Sequence, residues 1–401
     1  MAESVGGSVE VGGSVAPGFE QVRDAFAENF ELRGEIGAAF AATLDGLPVV
    51  DLWGGVADSA ANRPWQQDTL QIIFSGTKGL AALCVTMLID RGLLKLEDPV
   101  CSHWPEFAAG GKQAITVAEI VSHRGRLPGL RTPVDEQDVL DPEKMVALLA
   151  GQAQESDPRA QVVYHPLTYG WLCGELVRRV DGRSIGRFFA EEVAGPLGLE
   201  VWIGLPADIE ERVAMLQYGP NWGQSPSARP NAFQGDDLGA AIWENPSLFP
   251  PGEPSFWNTR PLHATEMPGA NGIGAARSIA RLYGALACGG ELDDVRIVSE
   301  EALTLARTQL SHGTDPFMGD QLAFGVGFMV QSEDAPLGPA KVAFGHNGAG
   351  GSCHGAWPDE RVGFSYAMNE MRDDLDGDGR VSALLEALHA CVGEARKSRA
   401  V

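Results

Sequence analysis

The sequence Ile72-Ile73-Phe74-Ser75-Gly76-Thr77-Lys78-Gly79-Leu80 joins a short apolar run to a helical pattern. The apolar run from Leu70 to Phe74 predicts a short strand, and apolar residues at intervals of three and four from Leu80 to Leu88 predict a helix. Ser75 is therefore expected where the helix begins, with Lys78 about one turn farther along the same face. There the Lys78 amine can polarise or deprotonate the hydroxyl, and the free amides of the first turn favour developing negative charge. The stretch predicts a nucleophile.

A capping role is the alternative for Ser75. Serine is a preferred residue at helix starts, and a Ser-x-x-Lys spacing arises easily by chance. The catalytic interpretation therefore depends on the flanking sequence and on partners elsewhere in the chain.

The composition limits the fold and the partners. A chain of 401 residues that is 44% hydrophobic can bury a large core, and it is long enough for two domains or for one domain with a large insertion. The formal net charge of −24 argues against nucleic acid and anionic membranes as partners, because both require a positive surface. The simplest explanation of the charge is solubility.

Three features concern the compartment. No Lys or Arg precedes Arg23 and no apolar segment of the signal type lies near the start, so no secretory signal is expected. The longest apolar stretch, Leu80 to Ile89, is too short to span a bilayer. The six cysteines include no Cys-x-x-Cys pair, and we expect free thiols in a reducing compartment, which predicts a cytoplasmic protein.

The pattern of strands and helices predicts how the chain is organised. Residues 1–17 are rich in Gly and Ser and are expected to be a flexible tail. Asp45-Gly46 separates two β-type runs, Gly37 to Leu44 and Leu47 to Trp53, and so predicts a hairpin. Helical patterns fill the middle of the chain. Four β-type runs near its end predict an antiparallel meander, at 322–330, 341–344, 352–357 and 362–368.

The fold class predicted from this order is α+β, an α/β sandwich in which helices flank an antiparallel sheet built from both termini. We expect one α/β domain, residues 18–90 and 262–398, with a mainly helical, loop-rich domain inserted at 91–261. Within the insertion, residues 205–261 show little periodicity but are rich in aromatic residues, which indicates a lid or a binding loop rather than disorder. Trp257 is the candidate there for substrate contact.

Three motifs resemble, in type and order, those of serine β-lactamase-like hydrolases. They are Ser75-Gly76-Thr77-Lys78, the tyrosine of Val163-Tyr164-His165-Pro166, and His346-Asn347-Gly348 in a glycine-rich turn. Within that superfamily the chain looks most like family VIII carboxylesterases, relatives of class C β-lactamases and D-alanyl-D-alanine peptidases. The ordered set is far more specific than any one motif. The resemblance implies a β-lactamase/transpeptidase-like fold.

The resemblance also implies a role for each motif. Ser75 would be the nucleophile, Lys78 its partner on the helix, and Tyr164 the general base, with a phenol pKa lowered by the nearby ammonium. The amides of Ser75 and Ala349 would form the oxyanion hole, Ala349 lying at the edge of the strand after His346-Asn347-Gly348, whose side chains would contact substrate. From the residues alone, a core or interface tyrosine is the better interpretation of Tyr164, and an ordinary turn is the alternative for the third motif.

Three positions depart from the family pattern. Penicillin-active members have Asn where this chain has Pro166, and Lys-Thr-Gly where it has His346-Asn347-Gly348. Both changes remove groups that hold a β-lactam amide or its carboxylate, so efficient lactamase activity is not expected. The third is Arg126, at a position where members commonly have Gly in a His-x-x-Gly-Leu-Pro pattern. Arg126 either alters a turn or reaches into the cleft as a substrate-binding residue.

No metal or organic cofactor is expected. The eight histidines show no ligand spacing such as His-Glu-x-x-His, and no glycine-rich phosphate loop follows a strand. The run Asp374-Leu375-Asp376-Gly377-Asp378-Gly379 imitates a calcium loop, but Leu385 occupies the position that needs a bidentate Glu. We expect a solvated acidic loop there.

Three functions stay open. The first is a serine hydrolase that cleaves carboxylic esters, small molecules with short acyl chains, through an acyl-enzyme on Ser75, with weak β-lactamase or peptidase activity as a variant. The second is an acyltransferase or amide-forming enzyme, in which an alcohol or amine replaces water. The third is a binding protein on an inactive hydrolase fold, against which intact Ser75, Lys78 and Tyr164 argue. The sequence leaves the choice between monomer and homo-oligomer open.

Overall fold

A computed structural model describes residues 9–226, 228–229, 231–332, 337–373 and 378–399. The first eight residues of the expected tail and residues 374–377 of the expected acidic loop lie outside the described residues. The strands are, in chain order, β1 (Val11–Val15), β2 (Gly37–Leu44), β3 (Leu47–Asp58), β4 (Arg63–Pro64), β5 (Gln71–Ile72), β6 (Val201–Trp202), β7 (Gln217–Tyr218), β8 (Ile273–Gly274), β9 (Glu291–Leu292), β10 (Val295–Arg296), β11 (Ser311–Thr314), β12 (Gln321–Phe324), β13 (Met329–Val330), β14 (Phe344–Asn347), β15 (Cys353–Trp357), β16 (Val362–Met368) and β17 (Glu370–Met371).

Helices cover both faces of the main sheet and fill the middle of the chain. The α-helices are α1 (Glu20–Leu32), α2 (Thr77–Asp90), α3 (Val117–Val121), α4 (Pro142–Gly151), α5 (Thr168–Asp181), α6 (Ile185–Phe189), α7 (Gly195–Leu197), α8 (Asp237–Trp243), α9 (Arg260–Ala264), α10 (Ala276–Ala287), α11 (Glu300–Ala306) and α12 (Gly379–Arg399). A π-helical turn and several 3₁₀ turns join them: Ala190–Ala194, and Phe74–Gly76, Val100–Ser102, Pro105–Gly111, Asp138–Leu140, Pro158–Gln161, Ala207–Arg212, Ser255–Asn258 and Ala349–Gly351. None of the helices described has the length and apolar character needed to cross a bilayer.

The main sheet combines strands from both ends of the chain, as the sequence predicts. Its order is β1-β3-β2-β16-β15-β14-β13-β12-β11, with β4 paired to β3. Adjacent strands run antiparallel. The α+β class is therefore confirmed, whereas the domain boundaries at 91 and 261 remain a prediction.

The hairpin of β2 and β3 shows how the sheet is buried on two faces. Asp45 and Gly46 have φ of 52° and 77°, the left-handed conformation of a two-residue hairpin turn. Along β2, Phe40 packs into the core that α1 and α12 form, whereas its neighbour Ala41 packs against α10. Successive side chains of a strand point to opposite faces, so the sheet lies between two helical layers.

Two segments differ from the expectation. Residues 11–15 of the expected flexible tail form the edge strand β1, paired to β3. A Cβ atom on Gly12 would lie 2.5 Å from Nε1 of Trp53, so this glycine allows close packing rather than flexibility. The run 322–330 is two strands rather than one, because the chain turns back at Gly327, which has a φ of 78°.

Candidate active site

Ser75 lies in the 3₁₀ turn Phe74–Gly76, directly before α2. Every side chain of α2 from Thr77 to Leu88 is buried, so the helix is anchored in the core along its length. The Thr77 hydroxyl donates to the Phe74 carbonyl at 2.6 Å and accepts from the Gly272 amide at 2.7 Å. Phe74 has a φ of 45°, a conformation that costs about 1–3 kcal/mol in a residue other than glycine. The turn that presents Ser75 is strained and firmly held.

Lys78 is completely buried, and its Nζ has three oxygen neighbours. Ser75 Oγ lies 3.1 Å away, and the carbonyl oxygens of Pro166 and Gly269 each lie 2.7 Å away. Burial lowers the pKa of Lys78 well below its ordinary value, which favours the neutral amine. A neutral amine has two N–H donors and one lone pair, and the two carbonyls can only accept. The two N–H groups are therefore engaged, and the lone pair is left for the Ser75 hydroxyl.

Tyr164 completes this group. Its hydroxyl is a hydrogen-bond partner of Ser75, and Lys78 Nζ lies 4.8 Å from the centre of its ring. The expectation that the ammonium lowers the phenol pKa is wrong. Burial raises the pKa of Tyr164, and the charge of Asp315 raises it further, against the lowering effect of the bond to Ser75. The phenol keeps its proton, so Lys78 is the group better suited to accept the Ser75 proton.

The third motif lies next to Ser75, but not in the secondary structure expected. His346 and Asn347 end strand β14, and Ala349 begins the turn to β15 rather than lying on a strand. A Cβ atom on Gly348 would lie 2.4 Å from the Ile73 carbonyl oxygen, so only glycine allows this close approach. The third motif and the proposed catalytic residues line one cavity, which includes Ser75, Tyr164, His346, Asn347, Gly348 and Ala349.

His346 presents a neutral ring to this cavity. Its Nδ1 lies 2.7 Å from the Asn347 carbonyl oxygen, which can only accept, so the proton is on Nδ1. Its Nε2 is then an acceptor, and it has no partner within the part of the chain that the structure describes. Burial, with a smaller effect from Lys78, lowers the pKa of His346 to about 3. The position that carries a cation in penicillin-active proteins carries a neutral acceptor here.

The cavity has a volume of about 890 Å³, in the range of small-molecule sites. An aromatic part of its wall is formed by Phe74, Trp222, Trp243, Phe249, Trp257 and Phe324. Trp257 is 1% exposed, and its ring lies edge-on to Phe74 at 4.9 Å, so it supports the wall behind the nucleophile. Among the described residues, no group of three or more His, Cys, Asp or Glu is placed to hold a metal.

Arg126 lies outside the residues that line this cavity. It has a φ of 55°, the left-handed conformation that explains why glycine is common at this position in the family. Its guanidinium donates to the carbonyls of Glu155 at 2.6 Å and Asp157 at 2.9 Å. Of the two expectations for Arg126, the structure matches the altered turn and not contact with the cleft.

Comparison with known proteins shows to which family the chain belongs. The family model described as Beta-lactamase matches residues 22–388. The chain belongs to this family. A curated relative, "Esterase/beta-lactamase LipL" of Mycobacterium tuberculosis, is 36% identical over 367 residues, which are 89% of this chain and 82% of the relative.

Solved structures agree with this assignment. A structure described as a family VIII carboxylesterase superposes with a TM-score of 0.86 at 39% identity, covering 95% of this chain and 100% of the other. A penicillin-binding protein homologue from Caulobacter crescentus superposes with a TM-score of 0.85 at 37% identity, with the same coverage of 95% and 100%. The resemblance inferred from the three motifs is confirmed.

Proposed function

We propose that this member of the Beta-lactamase family is a carboxylesterase that works through an acyl-enzyme on Ser75. The observation that carries the proposal is the buried Lys78 amine, 3.1 Å from Ser75 Oγ, with two carbonyls at 2.7 Å engaging its N–H groups. The similarity to a family VIII carboxylesterase and to the mycobacterial esterase supports the same chemistry. The proposed substrates are small carboxylic esters with short acyl chains.

Acylation follows from the positions of the three side chains. Ser75 Oγ attacks the ester carbonyl carbon, and its proton passes to the Lys78 amine. The amides of Ser75 and Ala349, which line the same cavity, stabilise the negative oxygen of the tetrahedral intermediate. The Tyr164 hydroxyl relays the proton from Lys78 to the departing alcohol oxygen as the ester C–O bond breaks. Water then attacks the acyl carbon and gives up a proton to the same groups, which return it to Ser75 Oγ as the bond between Oγ and the acyl carbon breaks and the acid leaves.

The acyl-enzyme can be tested directly. Rapid mixing with 4-nitrophenyl butyrate should give a burst of about one 4-nitrophenol per protein, because 4-nitrophenol is a good leaving group and acylation is then faster than hydrolysis of the acyl-enzyme. Acid quenching and mass spectrometry should place the butyryl group on the peptide that contains Ser75. The matched control is Ser382→Ala, which removes an exposed serine of the same cavity and should keep the burst. A butyryl group on another residue, or steady turnover without a labelled protein, would contradict the proposal.

A second candidate function is acyl transfer to an alcohol or amine. The aromatic wall around Ser75 favours it, because an apolar site admits an organic acceptor more readily than water. The ratio of transferred product to free acid, measured with and without added alcohol, decides between transfer and hydrolysis.

Hydrolysis of β-lactams should be weak. Among the described residues that line the cavity, Arg372 is cationic, but it is paired with Glu370 at 2.9 Å and donates to the Gly34 carbonyl at 2.7 Å. A β-lactam carboxylate thus meets the neutral His346 and no available cation, and losing a charge-assisted bond costs about 1.5–3 kcal/mol. We expect kcat/KM for a chromogenic cephalosporin to be about 10- to 150-fold below that for 4-nitrophenyl butyrate, and comparable values would contradict this account.

We also propose a cytoplasmic location, with no nucleic-acid or membrane partner. The six cysteines are free thiols, which supports a reducing compartment, and the net charge of −24 supports the choice of partners. Monomer and homo-oligomer both stay open.

A further inference from the structure

The backbone around Tyr164 is held from outside its own segment. Three successive amides donate to two distant residues: Val163 to the His123 carbonyl at 3.4 Å, Tyr164 to Asp315 Oδ2 at 2.8 Å, and His165 to His123 Nδ1 at 3.0 Å. Tyr164 lies between the 3₁₀ turn Pro158–Gln161 and α5, so neither a helix nor a strand fixes it. These three bonds therefore set the position of the Tyr164 backbone.

His123 acts through both its backbone and its ring. Because Nδ1 accepts from the His165 amide, the ring proton is on Nε2. The centre of the ring lies 4.9 Å from that of Tyr169, on which it stacks, and 4.9 Å from that of Tyr164, to which it is tilted by 33°. Burial lowers the pKa of His123 well below its ordinary value, which keeps Nδ1 an acceptor.

Asp315 ties Tyr164 to the edge of the main sheet. This buried residue follows β11, and its Oδ1 accepts from the amides of Phe317 at 2.8 Å and Met318 at 3.0 Å. Its Oδ2 accepts from the Tyr164 amide at 2.8 Å. One carboxylate oxygen therefore fixes its own loop, and the other fixes the tyrosine.

We infer that Asp315 and His123 are positioning residues that hold the Tyr164 hydroxyl at Ser75 for proton transfer. The inference rests on the role proposed for Tyr164. Its physical basis is that the distance over which a proton moves tolerates little error, so a tyrosine in an irregular segment needs anchors on both sides. His123 supplies the bonds to residues 163 and 165, and Asp315 supplies the bond to the residue between them.

Asp315→Asn tests one anchor. The amide group of Asn has one accepting oxygen, so either the Tyr164 amide or the loop amides of Phe317 and Met318 lose their acceptor. We expect kcat for 4-nitrophenyl butyrate to fall about 10- to 100-fold, with KM changed by less than about threefold. The control is Asp359→Asn, which removes an exposed charge outside the residues that line the cavity and should keep kcat within about twofold.

The pH profile separates positioning from general damage to the fold. The groups around Tyr164 are Ser75, Lys78, Asp315, His123 and His346. The Tyr164 phenol keeps its proton because its pKa is raised, and the limb of the profile belongs to Lys78. Removing Asp315 should therefore lower kcat at every pH and leave the Lys78 limb in place. An Asp315→Asn protein with unchanged kcat, or one whose Lys78 limb shifts, would overturn the inference. So would an equal loss in Asp359→Asn.

His123 gives an independent test if Asp315→Asn does not fold. His123→Asn keeps an acceptor near the position of Nδ1, whereas His123→Phe keeps the aromatic ring and loses the acceptor. We expect the Asn variant to keep about tenfold more of kcat than the Phe variant. Equal activity in the two variants would overturn the role of Nδ1.

In all these variants butyrylation of Ser75 should persist at a lower rate. Absence of butyrylation from the wild-type protein would count against the proposed function and not against the positioning roles.

Discussion

Lys78→Met and Lys78→Arg should each lower kcat/KM for 4-nitrophenyl butyrate by about 10²- to 10⁴-fold, the contribution of a well-placed general base. Methionine has similar length and no basic atom. Arginine keeps the positive charge but does not lose its proton at any accessible pH, so it cannot accept one from Ser75. The two variants therefore separate a base from a mere charge.

The pH dependence strengthens this test. Because burial lowers the pKa of Lys78, its neutral amine is populated at lower pH than in an ordinary lysine. In the wild-type protein kcat/KM should rise with pH through the lowered pKa of Lys78 and then level off. That limb should be absent from both variants. Circular dichroism and thermal unfolding provide the control for folding. If Lys78→Arg kept wild-type activity, charge rather than proton transfer would be the function of Lys78.

The parts of the structure that the sequence predicts correctly are those whose signals are local. Ser75 and Lys78 belong to one short stretch, and the helix that relates them follows from its apolar spacing. The β2–β3 hairpin follows from Asp45-Gly46, because few residue pairs adopt left-handed φ at two successive positions. Tyr164 has no such local signal, and only the ordered resemblance brings it to the site.

The parts that the sequence does not predict depend on tertiary environment. Lys78 is close to Tyr164, which suggested a lowered phenol pKa, but desolvation is the larger effect and raises it. Asp315 carries no motif, and its role appears only when the edge of the main sheet meets the Tyr164 segment. The glycines near residue 12 look like those of a flexible tail, since nothing in the sequence shows that Trp53 packs against them.

Arg380 belongs to a buried ionic network next to the turn Ala349–Gly351, which carries one proposed oxyanion-hole amide. Substituting Arg380 should have the second large effect, a loss of stability. Arg380 is fully buried, lies 3.1 Å from Glu35 Oε1 and 2.6 Å from Asp378 Oδ2, and donates to the Gly350 carbonyl at 3.2 Å. The Glu35 side chain is also completely buried. Burial raises the pKa of Glu35, and the Arg380 charge opposes this rise. Removing Arg380 leaves Glu35 without its cation, and the turn that carries Ala349 loses a support.

Arg380→Met should lower the free energy of unfolding by about 3–5 kcal/mol, because it leaves a buried carboxyl group uncompensated. Without Arg380 the folded-state pKa of Glu35 rises further above its unfolded value, so its protonation stabilises the fold at low pH and this stabilisation is lost as pH rises. Urea unfolding should therefore find a larger loss at about pH 8 than at about pH 5.5. Adding Glu35→Gln to Arg380→Met removes the unpaired charge and should recover about 1–2 kcal/mol, with Glu35→Gln alone as the matched control. A loss below about 1 kcal/mol that does not vary with pH would mean that the network does not stabilise this turn.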